Sequence, residues 1–272
     1  MNNFVMRSIT GTILVAVLIG GILLGRYSFG IIFFALCVLG TWEFYQLTEK
    51  NNVVPQKLYG TLLSALVFIC CSLYAFDHSK FTVLLLIIPF SFFVFVLELY
   101  KKSEDPFRNI AFTLLGIVYV ALPFSLLNFI VCPELSNGNY HPQHLLGYFY
   151  ILWANDTGAY LVGRKFGKTK LFERVSPKKS WEGSIGGAAF ALLTAYFLGM
   201  YYSDFSFFNW AVIAMIIVIL GSLGDLVESL LKRSINIKDS GTILPGHGGI
   251  LDRFDGLLLS APFVFAYIIY LQ

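Results

Sequence analysis

Between Lys232 and Asp255 the chain reads KRSINIKDSGTILPGHGGILDRFD, with four cations, three carboxylates and one histidine in 24 residues. Apolar runs flank it on both sides, AVIAMIIVIL before and LLLSAPFVFAYIIYL after. Asp225, Ser229 and Lys232 fall at i, i+4 and i+7, so on a helix they share one face. Asp252 and Asp255 fall at i and i+3, near the start of the last apolar run. A surface ladder of Asp225, Glu228 and Lys232 is the simpler reading of the helical part. It leaves unexplained why Asp225 lies so near an apolar core. Carboxylates gathered at one focus repel one another, and a divalent cation removes the conflict. Mg²⁺ takes hard oxygen ligands, usually one or two carboxylates together with substrate phosphates. Asp225, Asp252 and Asp255 are the candidate ligands, and the neighbouring Lys and Arg suit phosphate. The chemistry indicated is that of a metal–phosphate site between two oily segments.

Two further clusters lie upstream. WANDTGAYLVGRKFGKTK, residues 153–170, carries Asn155 and Asp156 inside an otherwise apolar stretch. An ionisable group at membrane depth costs about 2.5–3.5 kcal/mol on insertion scales, so it faces a cavity or a partner. An interhelical hydrogen bond that glues the bundle is the competing reading. GRKFGKTK has the look of an anion-binding segment, but its glycine spacing does not make a P-loop. ERVSPKKSWEGSIGG, residues 173–187, places Ser176-Pro177 as the start of a turn and Lys178 and Lys179 just before the next apolar run. The lysines serve as membrane anchors or as point charges for phosphate, with serine hydroxyls as donors. Gly183, Gly186 and Gly187 fit tight packing.

The elements that must position these groups are membrane helices. Hydrophobic residues make up 57% of the 272, mean hydropathy is +0.73, and only 13% are charged, about half the usual share of roughly 25%. Lipid must be the solvent for this much apolar surface. The runs do not alternate apolar and polar residues, which excludes a β-barrel. The spacing predicts an all-α polytopic integral membrane protein with about nine spans, near 8–25, 28–47, 58–76, 81–100, 109–132, 145–163, 184–203, 207–231 and 254–271. Arg7 precedes an apolar run as in a signal sequence, yet no small-residue cleavage site follows before Arg26, so this stretch reads as the first span. With the N-terminus cytoplasmic, 17 of the 19 basic residues fall on the inner side, leaving Arg26 and Lys80 outside. A net charge of +3 gives no argument for nucleic acid. Cys37, Cys70, Cys71 and Cys132 lie in or beside apolar runs without a CxxC pair, so they read as small packing residues. His141 and His144, in the longest outer loop, read as part of a polar turn rather than a metal site. Residues 1–144 form a nearly uniform membrane-spanning region, and residues 145–272 form a catalytic membrane region that carries the polar clusters. No internal repeat is evident, which weakens a transporter of inverted repeats.

The stretch from Ser229 to Asp255 resembles the signature of the phosphatidate cytidylyltransferases (CDP-diacylglycerol synthases), S-x-x-K-R-x4-K-D-x-[GSA]-x2-[LIF]-[PG]-x-H-G-G-x-x-D-R-x-D. Every fixed position is present, with Leu244-Pro245 meeting the [LIF]-[PG] pair. NDTGAYLVGRKFGKTK and SPKKSWEG also resemble segments of that family, so the likeness covers about residues 145–272. The resemblance implies transfer of a cytidylyl group from CTP to phosphatidic acid, giving CDP-diacylglycerol and pyrophosphate in phospholipid biosynthesis. It implies Mg²⁺ dependence, a role for a monovalent cation such as K⁺, a homodimer, and a multi-pass protein of the inner (plasma) membrane whose active site faces the cytoplasm. On this reading Asp225 and Asp252 are the main metal ligands, with Asp255 as the third or as support behind them. Lys232, Arg233 and Arg253 neutralise triphosphate or phosphatidate. Lys238, Asp239 and His247 shape the loop and contact CTP. His247 orients or binds phosphate rather than acting as a base, because a lipid phosphate is already largely ionised near pH 7. Asp156 completes the polar cavity, and Ser176, Ser229, Lys178 and Lys179 contact substrate.

Other readings stay open at this stage. A lipid-alcohol kinase using CTP would transfer the γ-phosphate instead. An ion or lipid transporter would line a path with its intramembrane aspartates. A catalytically dead relative would serve as a structural membrane protein.

Overall fold

A computed structural model describes residues 3–49, 53–76, 80–133, 139–235, 237, 240–241 and 248–271, with the side chains of residues 3–8 left aside. In chain order the helices are α1 (Asn3–Leu23), α2 (Arg26–Glu49), α3 (Lys57–Phe76), α4 (Thr82–Leu85), α5 (Ile87–Leu99), α6 (Pro106–Gly116), a π-turn (Ile117–Ala121), α7 (Leu122–Val131) and α8 (Pro142–Phe166). A hairpin of β1 (Lys170–Phe172) and β2 (Ser176–Ser180) follows, then α9 (Trp181–Tyr201), α10 (Phe207–Ser234) and α11 (Leu251–Tyr270). The termini follow local chemistry. Pro106 and Pro142 open α6 and α8, where a missing N–H costs nothing. Ser180 and Ser206 cap α9 and α10, accepting from the N–H groups of Gly183 and Asn209. Arg164 and Lys165 close α8, and Lys232 and Arg233 close α10, where cations meet the negative end of the helix. Gly25, at φ 117°, breaks α1 from α2 in a conformation that side chains disfavour.

Among the described residues seven helices are long and apolar enough to cross a membrane: α2, α3, α4–α5 together, α6–α7 together, α9, α10 and α11. The other two expected spans fall on α1, whose described apolar part is Ile9–Leu23, and on α8, which is 25 residues long but carries the polar residues of the site. The lipid-facing character is clearest on α5, where Val94 and Glu98 are the buried residues and Phe90, Phe92, Phe93 and Phe95 are exposed. The chain is a multi-pass, all-α membrane protein. The hairpin was not expected from the sequence. Ser176-Pro177 begins strand β2 instead of a turn, and residues 173–175 make the turn. Proline is tolerated there because a two-stranded sheet leaves each strand one edge without a ladder partner.

One apolar core runs through both halves of the chain, from Leu18 to Ile268. Phe29, Phe33, Tyr45, Phe124, Tyr148 and Trp210 are almost wholly enclosed in it. Small residues allow two close helix crossings that matter for the site. On α8 and α9, Gly158, Ala159 and Gly163 face Gly183, Gly186 and Gly187. A Cβ added at Gly183 would stand 2.9 Å from the carbonyl oxygen of Ala159. On α10 and α11, Gly221 and Gly224 face Asp255 and Gly256 backbone to backbone.

Candidate active site

The start of α11 is built around two buried carboxylates. Asp252, in the first turn, accepts through Oδ2 from the Gly249 N–H at 2.9 Å, the Ser240 N–H at 2.9 Å and the Ser240 hydroxyl at 2.9 Å. Its Oδ1 takes Lys232 Nζ at 2.6 Å, and the same ammonium pairs with Glu228 Oε2 at 2.6 Å. The second carboxylate is Glu43, 1% exposed, which arrives from α2. It accepts from the N–H groups of Ile250 at 2.8 Å and Leu251 at 3.1 Å, and it shares the single hydrogen of the Ser240 hydroxyl with Asp252 Oδ2. Burying a carboxylate is costly unless hydrogen bonds compensate, and N–H groups at a helix start supply them. The paired glycines before α11 follow from this crowding. Gly248 sits at φ 85°, and a Cβ on it would press on Asp252 Oδ2. A Cβ on Gly249 would collide with Glu43 and Ser240.

Beside this node lies a cavity of about 670 Å³, within the usual range of about 300–1,000 Å³ for ligand sites. Asp156 of α8, Asp225 of α10 and Asp252, Arg253 and Asp255 of α11 line it, together with Lys178 and Lys179 of β2 and Arg164 at the end of α8. Apolar residues line it as well, Leu14, Val15 and Leu18 of α1 with Phe149, Leu152 and Trp153 of α8. The lining therefore combines charged groups with hydrocarbon.

The hairpin sets the lysines. Trp181 N–H bonds the Thr169 carbonyl at 2.9 Å, and Glu182 accepts from the N–H groups of Lys168 and Thr169 at 3.1 and 3.0 Å. These bonds fold the segment after α8 back against the start of α9. Lys179 then reaches inward, pairing with Asp225 Oδ2 at 2.7 Å and donating to the Ser222 carbonyl at 3.0 Å. Ser229 donates to Asp225 Oδ1 at 3.3 Å. Asp255 accepts from the Gly256 N–H at 2.7 Å and lies within electrostatic reach of Asp225, Asp156 and Lys179.

The carboxylates of this cavity have the hard-oxygen chemistry that Mg²⁺ takes. Asp156, Asp225 and Asp255 are hard oxygen donors from three helices, and an ammonium already stands among them at Asp225. Mg²⁺ completes its shell with water and substrate phosphate, so it needs no full protein cage. Asp252 is placed differently. Both of its oxygens are engaged by protein donors, so it reaches an ion only by releasing Lys232 or the Ser240–Gly249 bonds.

Of the residues picked from sequence, Asp156, Lys178, Lys179, Asp225, Asp252, Arg253 and Asp255 line this one cavity. Ser176, Ser229, Lys232 and Arg233 are not among its lining residues. Ser176 starts β2, Ser229 and Lys232 support the aspartates, and Arg233 donates to the Ile237 carbonyl at 3.1 Å. Lys238, Asp239 and His247 lie outside the described residues. Sequence reasoning passed over Glu43, noticed Arg164 only as part of GRKFGKTK, and offered Glu228 no role beyond the competing surface ladder. Glu43 carried a usable signal, since a lone carboxylate in the apolar run ALCVLGTWEFYQL raises the same question as Asp156. Nothing local linked it to a loop some two hundred positions away.

Residues 5–271 match the model of the cytidylyltransferase family. A phosphatidate cytidylyltransferase of Bacillus subtilis is 33% identical over 95% of each chain. One of Staphylococcus haemolyticus is 32% identical over 94% of this chain and 95% of its own. One of Staphylococcus aureus is 40% identical over 65% of each. With the match running almost from end to end, the chain belongs to the cytidylyltransferase family.

Proposed function

We propose that the protein transfers the cytidylyl group of CTP to phosphatidate at the cytoplasmic face of a bacterial plasma membrane, giving CDP-diacylglycerol and pyrophosphate. The observation that carries this reading is a cavity lined by both charge and hydrocarbon. Its charged residues suit phosphates, and its apolar residues, partly from α1, suit the tails of a lipid substrate. The names of the relatives support the same substrates. The bias of 17 basic residues against two supports the cytoplasmic placement.

In the reaction an oxygen of the lipid phosphate attacks the α-phosphorus of CTP. The bond from that phosphorus to the bridging oxygen breaks, and pyrophosphate leaves with the electron pair. No protein nucleophile is required, and no Cys or His is among the described residues that line the cavity. Catalysis is then positioning and charge neutralisation, as in phosphoryl transfer generally. Lys178, Lys179, Arg164 and Arg253 supply positive charge to two polyanions that would otherwise repel. Asp225, Asp255 and Asp156 would hold Mg²⁺, with K⁺ as a further cation of the same site. Bound there, the metal would neutralise triphosphate charge as it builds on the leaving group. Asp252, Glu43, Ser240, Lys232 and Glu228 keep the start of α11 in register with α10, which places Asp255 opposite Asp225.

The test is made on full-length protein in nanodiscs containing phosphatidate. With Mg²⁺ and CTP labelled at the α-phosphorus, label is expected in the lipid phase, and Asp225→Asn is expected to abolish it. Lipid labelled from γ-labelled CTP instead would establish a kinase. Absence of lipid label from well-folded wild type would overturn the proposal.

A further inference from the structure

The group of His, Cys, Asp and Glu donors most tightly drawn together among the described residues lies away from this cavity. His141, His144 and Asp204 each offer one ligand atom, and the three atoms fall within 4.8 Å of one another. His141 and His144 sit at the start of α8, and Asp204 sits in the connection between α9 and α10. Arg164, at the catalytic cavity, is twenty residues further along α8 from His144, about 30 Å at the helical rise. On the orientation favoured by the basic residues, the cluster faces away from the cytoplasm.

His144 carries the argument. It is 4% exposed, and its Nε2 is buried with no hydrogen-bond partner. Its Nδ1 lies 3.3 Å from the carbonyl oxygen of Ile130. A carbonyl only accepts, so in the neutral ring the hydrogen is on Nδ1 and the lone pair is on Nε2. That lone pair points toward Asp204 Oδ1, 3.8 Å away. A buried ring nitrogen that faces a partly exposed carboxylate without a hydrogen-bond donor is a costly arrangement. His141 Nδ1 stands 3.7 Å from the same carboxylate oxygen. The spacing exceeds a hydrogen bond and approaches the ~3.4 Å between ligands of a tetrahedral ion with bonds of about 2.0–2.1 Å.

The surroundings match those of a ligating histidine. Such a histidine commonly gives its other ring N–H to a carbonyl, as His144 does to Ile130, and a ligating carboxylate is held in turn by a donor. Gln143 Nε2 donates to Asp204 Oδ2 at 3.1 Å, leaving Oδ1 toward the histidines. The same amide nitrogen lies 3.3 Å from His141 Nδ1, a contact that an ion would replace. The two imidazoles stack with centroids 5.2 Å apart, and Phe205 covers His144 at 4.5 Å. His141 is fixed by its own N–H to the Val131 carbonyl at 2.7 Å.

We propose that His141, His144 and Asp204 bind a divalent ion of the zinc type. Two imidazoles and a carboxylate are a borderline-soft donor set suited to zinc, unlike the all-oxygen set at the catalytic cavity. The ion ties the start of α8 to the α9–α10 connection, and three protein ligands leave a position for water. The site does not depend on the catalytic reading.

The experiment uses full-length protein purified in detergent through chelator, then reloaded with zinc in excess Mg²⁺ so that the hard-oxygen cavity is occupied. Bound zinc is counted by elemental mass spectrometry, and affinity is read by competition with a chromophoric chelator. One zinc per chain is expected for wild type and for Asp225→Asn. Asp204→Asn and His141→Gln alter partly exposed residues and are expected to weaken zinc by about 100-fold or more, while Gln143→Ala costs about 10-fold. His144→Ala is expected to lose it altogether. Zinc should raise the thermal midpoint of wild type but not of Asp204→Asn. Wild type without stoichiometric zinc, or with zinc retained equally in Asp204→Asn and His141→Gln, would overturn the proposal.

Discussion

Glu43 and Ile250 stand 207 positions apart, and the carboxylate of one accepts the backbone N–H of the other at 2.8 Å. Through this bond, and those to Leu251 and Ser240, helix α2 holds the start of the helix that carries Asp252 and Asp255. With α1 lining the cavity as well, the first half of the chain is part of the site.

Removing that strap is the first test. Glu43→Ala leaves the N–H groups of Ile250 and Leu251 in a closed space without an acceptor, at about 1–3 kcal/mol for each buried donor. A thermal midpoint lower by several degrees and at least a tenfold loss of cytidylyl transfer are expected. Glu43→Gln keeps one carbonyl acceptor and should fall between. Wild-type melting and turnover in the alanine variant would show that α2 does not hold the site.

Lys232 gives the second. Its side chain is 12% exposed, and those of Glu228 and Asp252 are 2% and 8% exposed. Lys232→Met strands two carboxylates, and breaking a buried pair costs about 3–5 kcal/mol. The double variant Lys232→Met with Glu228→Gln should recover part of that stability. If Lys232 instead served mainly to contact triphosphate, the single variant would keep wild-type melting and raise KM for CTP alone. Chemical unfolding and steady-state kinetics on the same samples separate the two roles.

The apolar runs made the helices legible, because length and hydropathy suffice for a membrane span. The site was half legible. Asp156, Asp225, Asp252 and Asp255 drew notice because charge is expensive in oil, Lys178 and Lys179 because cations beside a span suit phosphate, and the structure brings all six to one cavity. Their division of labour was not readable, since it depends on which donors face each oxygen. Asp252 and Asp255 have the same side chain three positions apart, yet one is saturated by Lys232, Ser240 and Gly249 and the other, bonded to the Gly256 N–H, lies within electrostatic reach of Asp225. The hairpin escaped because its strands are short and polar, and a Ser-Pro step opens turns and edge strands alike.

The α8–α9 contact makes a steric test. At Gly183 an added Cβ would meet the Ala159 carbonyl oxygen at 2.9 Å and the Gly163 Cα at 3.2 Å, both backbone atoms that cannot rotate away. Overpacking of this kind costs typically about 1–3 kcal/mol. Gly183→Val is expected to part α8 from α9, displace Ser180 and Lys179, and cut activity more than tenfold. Gly20→Val, on α1 with open space around its Cβ, should leave melting and turnover near wild type. Equal behaviour of the two variants would mean that the close crossing does not position the lysines.

The apolar lining from α1 makes a claim that kinetics can divide. If lipid tails lie along Leu14, Val15 and Leu18, filling that side should penalise phosphatidate and spare the nucleotide. Val15 is 37% exposed and lines the cavity, so Val15→Trp can add bulk there without invading the core. A rise of up to about tenfold in KM for phosphatidate, equivalent to about 1.4 kcal/mol, is expected with KM for CTP unchanged. Surface dilution of phosphatidate in mixed micelles measures the first constant, and CTP titration at saturating lipid measures the second. A rise in both would place the nucleotide along α1 as well, and a rise in neither would move the lipid to another wall.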